Sequence, residues 1–135
     1  MHIFTYRVLC HNTTGKVPSK MKLVLKGDAK VQDNSGGVYL IGERLENGKY
    51  FWVGKGSDYA IWWGGQNWWL GKLSELGQID VKRGYVYGPK SDKWPSNIQE
   101  GWTYHSSKEK KYKNSTNGEV TFIDWSIKSC KLIHQ

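Results

Sequence analysis

The stretch from Tyr59 to Gly71, YAIWWGGQNWWLG, holds two tryptophan pairs, Trp62–Trp63 and Trp68–Trp69, on either side of Gly64-Gly65-Gln66-Asn67. Indole rings are flat, rigid and electron-rich on their faces, so they stack against apolar sugar faces, nucleobases and quaternary ammonium groups. Adjacent residues of a strand project to opposite faces, so each pair must divide between the two sides of a sheet. Symmetrical pairing sets Trp63 opposite Trp68 and Trp62 opposite Trp69, and opposed residues share a face. Tyr59, Ile61, Trp63, Trp68 and Leu70 then form one bulky apolar side, assigned to the core. Ala60, Trp62, Trp69 and Gly71 form the other, where two rings flanked by small residues would stand out as a platform. Gln66 and Asn67 in the turn, with Lys72 just beyond it, would supply the directional hydrogen bonds that orient a ligand. The competing reading buries both faces, between sheets, under a later loop or in a homodimer.

Other reactive groups are dispersed. His2, His11, His105 and His134 are scattered, no Cys-x-x-Cys is present, and Cys10 and His11 are neighbours that project apart on a strand, so no metal site is expected. No local signature supports Cys10 as a nucleophile. Glycoside hydrolysis would need two carboxylates at a set separation, drawn from Asp58, Glu75, Asp80, Asp92, Glu100 and Asp124. Only Asp124, between Ile123 and Trp125, stands in unusually apolar company, and it reads as a hydrogen-bonded structural group ahead of an acid catalyst. The glycine-rich GKGSDY and GGQNWWLGK precede no amphipathic helix, so they lack the setting of a phosphate-cradling loop. The chain reads as non-catalytic, with no cofactor.

A formal net charge of +8 suggests an acidic partner: nucleic acid, sulfated or sialylated glycan, anionic membrane or acidic protein. The same charge would also serve solubility alone. Lys108, Lys110, Lys111 and Lys113, in KEKKYKN, join Lys82 and Arg83 as the basic surface on which phosphates would track while rings stack bases. Against that, arginine is scarce (Arg7, Arg44 and Arg83) and no nucleic-acid-binding signature is visible. No apolar run approaches the ~18 residues of a membrane helix. The start, MHIFTYRVLCHNTTG, shows no signal-peptide core, which points to the cytosol unless a leader was trimmed. Cys10 and Cys130, the only cysteines, could close almost the whole chain with a disulfide worth ~4–5 kcal/mol, or remain thiols in a reducing compartment. Sequons at Asn12 and Asn114 would matter only in a secreted chain.

The elements that must position these groups are strands. A chain of 135 residues fits one domain, 1–135, and its 16 glycines separate short alternating or apolar runs with little helical periodicity. HIFTYRVL (2–9) and MKLVLK (21–26) alternate as strands, and EVTFIDWSI (119–127) is apolar on both sides, as a central or barrel-lining strand would be. Asn47-Gly48, Gly64-Gly65-Gln66-Asn67 and Asn117-Gly118 mark hairpins. LSEL (73–76) suggests one helical turn, and 87–118 reads as a long basic surface loop region. The expected fold is all-β and antiparallel, a small barrel or sandwich of about eight short strands.

The order Gly37-x-Tyr39, Asn47-Gly48-Lys49, Trp52, IWW (61–63), WWLG (68–71), Pro95, Trp102 and Cys130 resembles small Trp/Gly-rich β modules of multidomain and secreted proteins of invertebrates and protists. The resemblance spans about residues 37 to 130 and implies a β-rich domain of binding type. Carbohydrate recognition through Trp62 and Trp69 is the leading expectation, with an acidic or sulfated glycan favoured by the charge. Single-stranded nucleic-acid binding and docking of a protein partner are the alternatives.

Overall fold

The computed structural model describes residues 6–10, 16–31, 35–79, 85–116, 118–126 and 130–134. The strands are β1 (Tyr6–Cys10), β2 (Lys20–Leu25), β3 (Gly37–Glu46), β4 (Lys49–Gly54), β5 (Tyr59–Trp63), β6 (Trp68–Lys72), β7 (Val86–Tyr87), β8 (Thr103–Ser106), β9 (Lys111–Asn114), β10 (Val120–Asp124) and β11 (Cys130–His134). Short 3-10 turns at Gly27–Val31, Leu73–Glu75 and Pro95–Asn97 are the only helical elements among the described residues. The second is the turn expected from LSEL.

β2 to β9 form one antiparallel meander, and β10 returns to pair with β2, giving the order β10-β2-β3-β4-β5-β6-β7-β8-β9. β1 and β11 form a separate two-stranded ribbon. The all-β antiparallel expectation holds: nine strands form one curled sheet, a half-barrel.

Chain length explains the curl. β9 and β10 are consecutive in sequence yet lie at opposite edges of the sheet, joined by residues 115–119. Such a link spans at most about 22 Å, so the edges must approach each other and the sheet must roll up. Strand parity and the shortness of this link together prevent closure. Every neighbour in the nine-stranded order is antiparallel, so the two edges run in the same direction. Joining them would make a parallel pair, which needs a crossover of about a dozen residues or more. Side chains bridge the gap instead. Trp102, entering β8, packs on Phe122 of β10 with ring centroids 4.4 Å apart, and the Tyr104 hydroxyl donates to Glu119 at 3.0 Å.

The inner face of this half-barrel carries the main core, including Met21, Leu23, Tyr39, Trp52, Ile61, Trp68, Leu70 and Val86. Segment 87–118 is not one surface loop. It contains β8 and β9, and its first half crosses the core, with Pro95 and Ile98 buried. The apolar concave face needs a cover, and the buried indoles need acceptors. Trp68 donates to the Lys93 carbonyl at 2.7 Å and Trp102 to that of Ile98 at 2.8 Å. Trp94 packs edge-on against Trp52 at 5.9 Å.

The hairpin signal at Asn47-Gly48 is realised: φ is 51° and 85°, as a two-residue type I′ turn requires. Asn47 Nδ2 also donates to the carbonyls of Trp63 at 2.8 Å and Gly77 at 3.2 Å, fastening this turn to β5 and to the chain after β6. β10 corrects another expectation. It is an edge strand, with β2 as its one strand partner among the described residues. Its double apolar character has a different cause: Val120 and Phe122 enter the core, while Ile123 is half-buried on the outer side. Trp125 just beyond it is 45% exposed, with the Lys22 ammonium 4.6 Å above its ring.

Candidate functional site

The paired register is as anticipated, Trp62 opposite Trp69 and Trp63 opposite Trp68. The side carrying Ile61, Trp68 and Leu70 is the core side, each of these being 0% exposed. The outer side departs from the two-ring platform. Trp62 is also 0% exposed, packed with Phe51 and Ala60 against Leu76, and its Nε1 donates to the Gln78 carbonyl at 3.0 Å. The glycines explain this. A Cβ on Gly71 would lie 2.7 Å from the Trp62 ring, and one on Gly64 would lie 2.5 Å from that of Trp69. Each ring lies down in the hollow its glycine leaves, and the chain after β6 folds back over Trp62. Small neighbours made room for burial.

Trp69 remains half-buried and starts a longer feature. Its Nε1 is buried without a hydrogen-bond partner among the described residues, so the ring face is what it can offer a ligand. Tyr87 lies 4.9 Å from Trp69, Tyr112 lies 5.5 Å from Tyr87, and His105 lies 5.1 Å from Tyr112. The Trp69–Tyr87 and His105–Tyr112 steps join neighbouring strands, which lie ~4.8 Å apart, whereas Tyr87 and Tyr112 meet across the intervening β8. The register Trp69↔Tyr87, Tyr87↔Thr103, Thr103↔Asn114 and His105↔Tyr112 puts the rings on one face, across β6, β7, β8 and β9. Tyr112 is 36% exposed. Burial, and then the nearby Tyr87 phenol, raise its pKa, so it is a neutral hydroxyl at physiological pH. Beside the strip, Thr103 donates to Asn114 Oδ1 at 3.3 Å, which leaves the Asn114 amide N–H groups as donors.

The other anticipated residues are divided. Gln66 is exposed on the hairpin loop. Asn67 is structural, its Nδ2 donating to the Gly88 carbonyl at 3.2 Å. Lys72 sits opposite Tyr59 rather than beside Trp69, and lines a separate open pocket of about 770 Å³ with Asp58, Leu73 and Ser74. Lys108 and Lys110 are exposed on the β8–β9 turn, where the strip ends, with Lys111 exposed just after it. Lys113 is not a free cation: it pairs with Glu109 at 2.7 Å and Asp28 at 3.5 Å. Lys82, Arg83 and Asp80 lie outside the described residues. Asp124 is structural, accepting from the Ser126 amide at 3.0 Å and from its hydroxyl. Among the described residues no group of three or more His, Cys, Asp or Glu could hold a metal, and no helix is long and apolar enough to cross a membrane.

Tyr87, Tyr112 and His105 were missed in the sequence. A period-two reading of KYKN as a strand would have turned Tyr112 to the face opposite Lys111 and Lys113, which is where it lies.

A polar cluster closes the inner side of the seam. Asp28 accepts from Ser106 Oγ at 2.8 Å and from the Tyr104 hydroxyl at 3.3 Å, and Glu119 accepts from Tyr104 and from the Thr116 amide at 2.9 Å. The Ser106 hydrogen bond leads in lowering the Asp28 pKa, and the Thr116 amide leads for Glu119. A proton donor for glycoside hydrolysis needs the opposite shift. Depressed folded values stabilise the fold above the ordinary carboxylate range, and that contribution disappears as pH falls through them. Tyr104 runs the other way: burial first, then the Glu119 hydrogen bond, push it up to about 12. Its contribution is complete below about pH 10 and lost as pH rises further. Urea midpoints are therefore expected to fall below about pH 4 and again above about pH 10, as these groups titrate. Asp28→Asn is expected to flatten the acid limb; an unchanged limb would rule Asp28 out as its source.

No protein-family model matches the chain, and comparisons with curated proteins and with solved structures gave no match.

Proposed function

We propose that this protein is a non-catalytic binding module that recognises carbohydrate through the outer strip of Trp69, Tyr87 and Tyr112. The supporting observation is the strip itself: partly exposed aromatic rings at 4.9 and 5.5 Å steps along one face of the sheet, from β6 through β7 to β9. Sugars join apolar C–H faces to a rim of hydroxyls. Ring faces suit the first, and the Asn114 amide suits the second. Little ordering is required, since each ring has two χ angles and is braced by its neighbour. Lys108 and Lys110, in the β8–β9 turn at one end of the strip, favour an acidic or sulfated sugar. Single-stranded nucleic acid is the second reading, since bases also stack on such rings, but the Lys113 ion pairs remove one of the expected phosphate contacts.

The test is titration with neutral and sulfated oligosaccharides and with single-stranded oligonucleotides, at low and high salt, followed by calorimetry. Neutral-oligosaccharide binding is expected to survive high salt, sulfated-oligosaccharide binding to weaken but persist, and Tyr112→Ala to weaken both about tenfold, equivalent to ~1.4 kcal/mol. Binding confined to oligonucleotides and lost steeply with salt would replace carbohydrate by nucleic acid. Unchanged sugar affinity in Tyr112→Ala would remove the strip from the site.

A further inference from the structure

We propose that Cys10 and Cys130 form a cross-strand disulfide that ties the two ends of the chain together. They are the only cysteines in the sequence, and the β1–β11 register sets them directly opposite each other. The ladder runs from Tyr6↔His134 to Cys10↔Cys130, so the pair stands where β1 ends and β11 begins. Opposed residues of an antiparallel pair have Cα atoms about 4.5–5.5 Å apart, within the ~4.4–6.8 Å that disulfides span. A slip of one residue would put the two positions on opposite faces.

The ribbon has a physical need for such a link. It is separate from the nine-stranded sheet, and an isolated two-stranded pair is marginal in water. Its strands occupy 6–10 and 130–134, so pairing must close a loop made of nearly the whole chain. Closure entropy grows with loop length, and a covalent bond removes it from the unfolded state. The chemistry is thiol–disulfide exchange with a small-molecule disulfide or an oxidoreductase disulfide. One thiolate attacks that disulfide, forming a mixed disulfide and releasing a thiol. The second thiolate then displaces the other sulfur. The cysteine pair loses two electrons and two protons, and the oxidant becomes two thiols.

The test equilibrates the full chain with a mixture of reduced and oxidised glutathione set to the poise of the secretory compartment. The chain is then acid-quenched, unfolded, alkylated and weighed. The expected product is monomeric and carries neither alkyl nor glutathione groups, and after reduction it takes up two alkyl groups. Amide exchange is expected to quicken on reduction in 6–10 and 130–134 and to stay slow in the nine-stranded sheet. Two alkyl groups before reduction, glutathione on both cysteines, or a disulfide-linked dimer would overturn the proposal. Unchanged exchange in the ribbon on reduction would overturn its stabilising role.

Discussion

Trp52→Ala is expected to lower the unfolding free energy by about 3–5 kcal/mol, the range for truncating a large buried aromatic. Trp52 is 0% exposed, and its ring lies 5.5 Å from Trp68 and 5.9 Å from Trp94. Its Nε1 donates to the Pro18 carbonyl at 2.8 Å, so truncation also leaves that acceptor without its partner. No single neighbour can refill the space, because Trp68 and Trp94 are each committed to positions set by their own contacts. Small domains are stable by about 5–15 kcal/mol, so this one change removes a large share. With m near 1–3 kcal/mol per molar urea, the midpoint should drop by more than about 1 M. A midpoint within experimental error of the parent would show that the cluster repacks, against the close-packed interior described above.

Trp62→Ala carries the second largest expectation, again about 3–5 kcal/mol of stability. Had the outer face displayed both rings, this variant would fold normally and fail only in binding. Burial at 0% and the hydrogen bond to Gln78 at 3.0 Å reverse that expectation. Trp69→Ala is the informative contrast. Its ring is partly exposed and its N–H has no partner among the described residues, so the same truncation should cost less stability and more ligand affinity. Denaturation and ligand titration of both variants would check this. A Trp62→Ala protein with the parental midpoint and lost binding would restore the two-ring platform.

The contrast also shows how far residue patterns reach. Alternation placed Ile61, Trp68 and Leu70 on the core side, because side-chain direction along a strand is a local property. It could not say what covers the other side. Trp62 is sealed by Leu76 and Gln78, whose approach depends on the turn at Leu73–Glu75 and on the Asn47 bonds to Trp63 and Gly77. The aromatic strip was out of reach for the same reason. Tyr87 and Tyr112 meet only through the register of β7, β8 and β9, and the short β7 carries almost no periodic signal. Segment 87–101 looked like surface because Gly, Pro, Ser and Lys dominate it. Its carbonyls are what the buried indoles of Trp68 and Trp102 use. The hairpin at Asn47-Gly48 was legible because positive φ at two successive positions restricts the choice of residues so strongly.

The open seam between β9 and β10 has a bearing on how this architecture can change. Adding or deleting a hairpin changes the strand number by two and leaves an odd number odd. However many hairpins a lineage inserts or deletes, the first and last members of the circuit still point the same way, and the rim stays unzipped. Sealing it into a ring would take the arrival or departure of a lone strand, or a link between β9 and β10 long enough for a parallel crossover. The gap is thus an arithmetical inheritance of the topology, which no amount of side-chain substitution can erase.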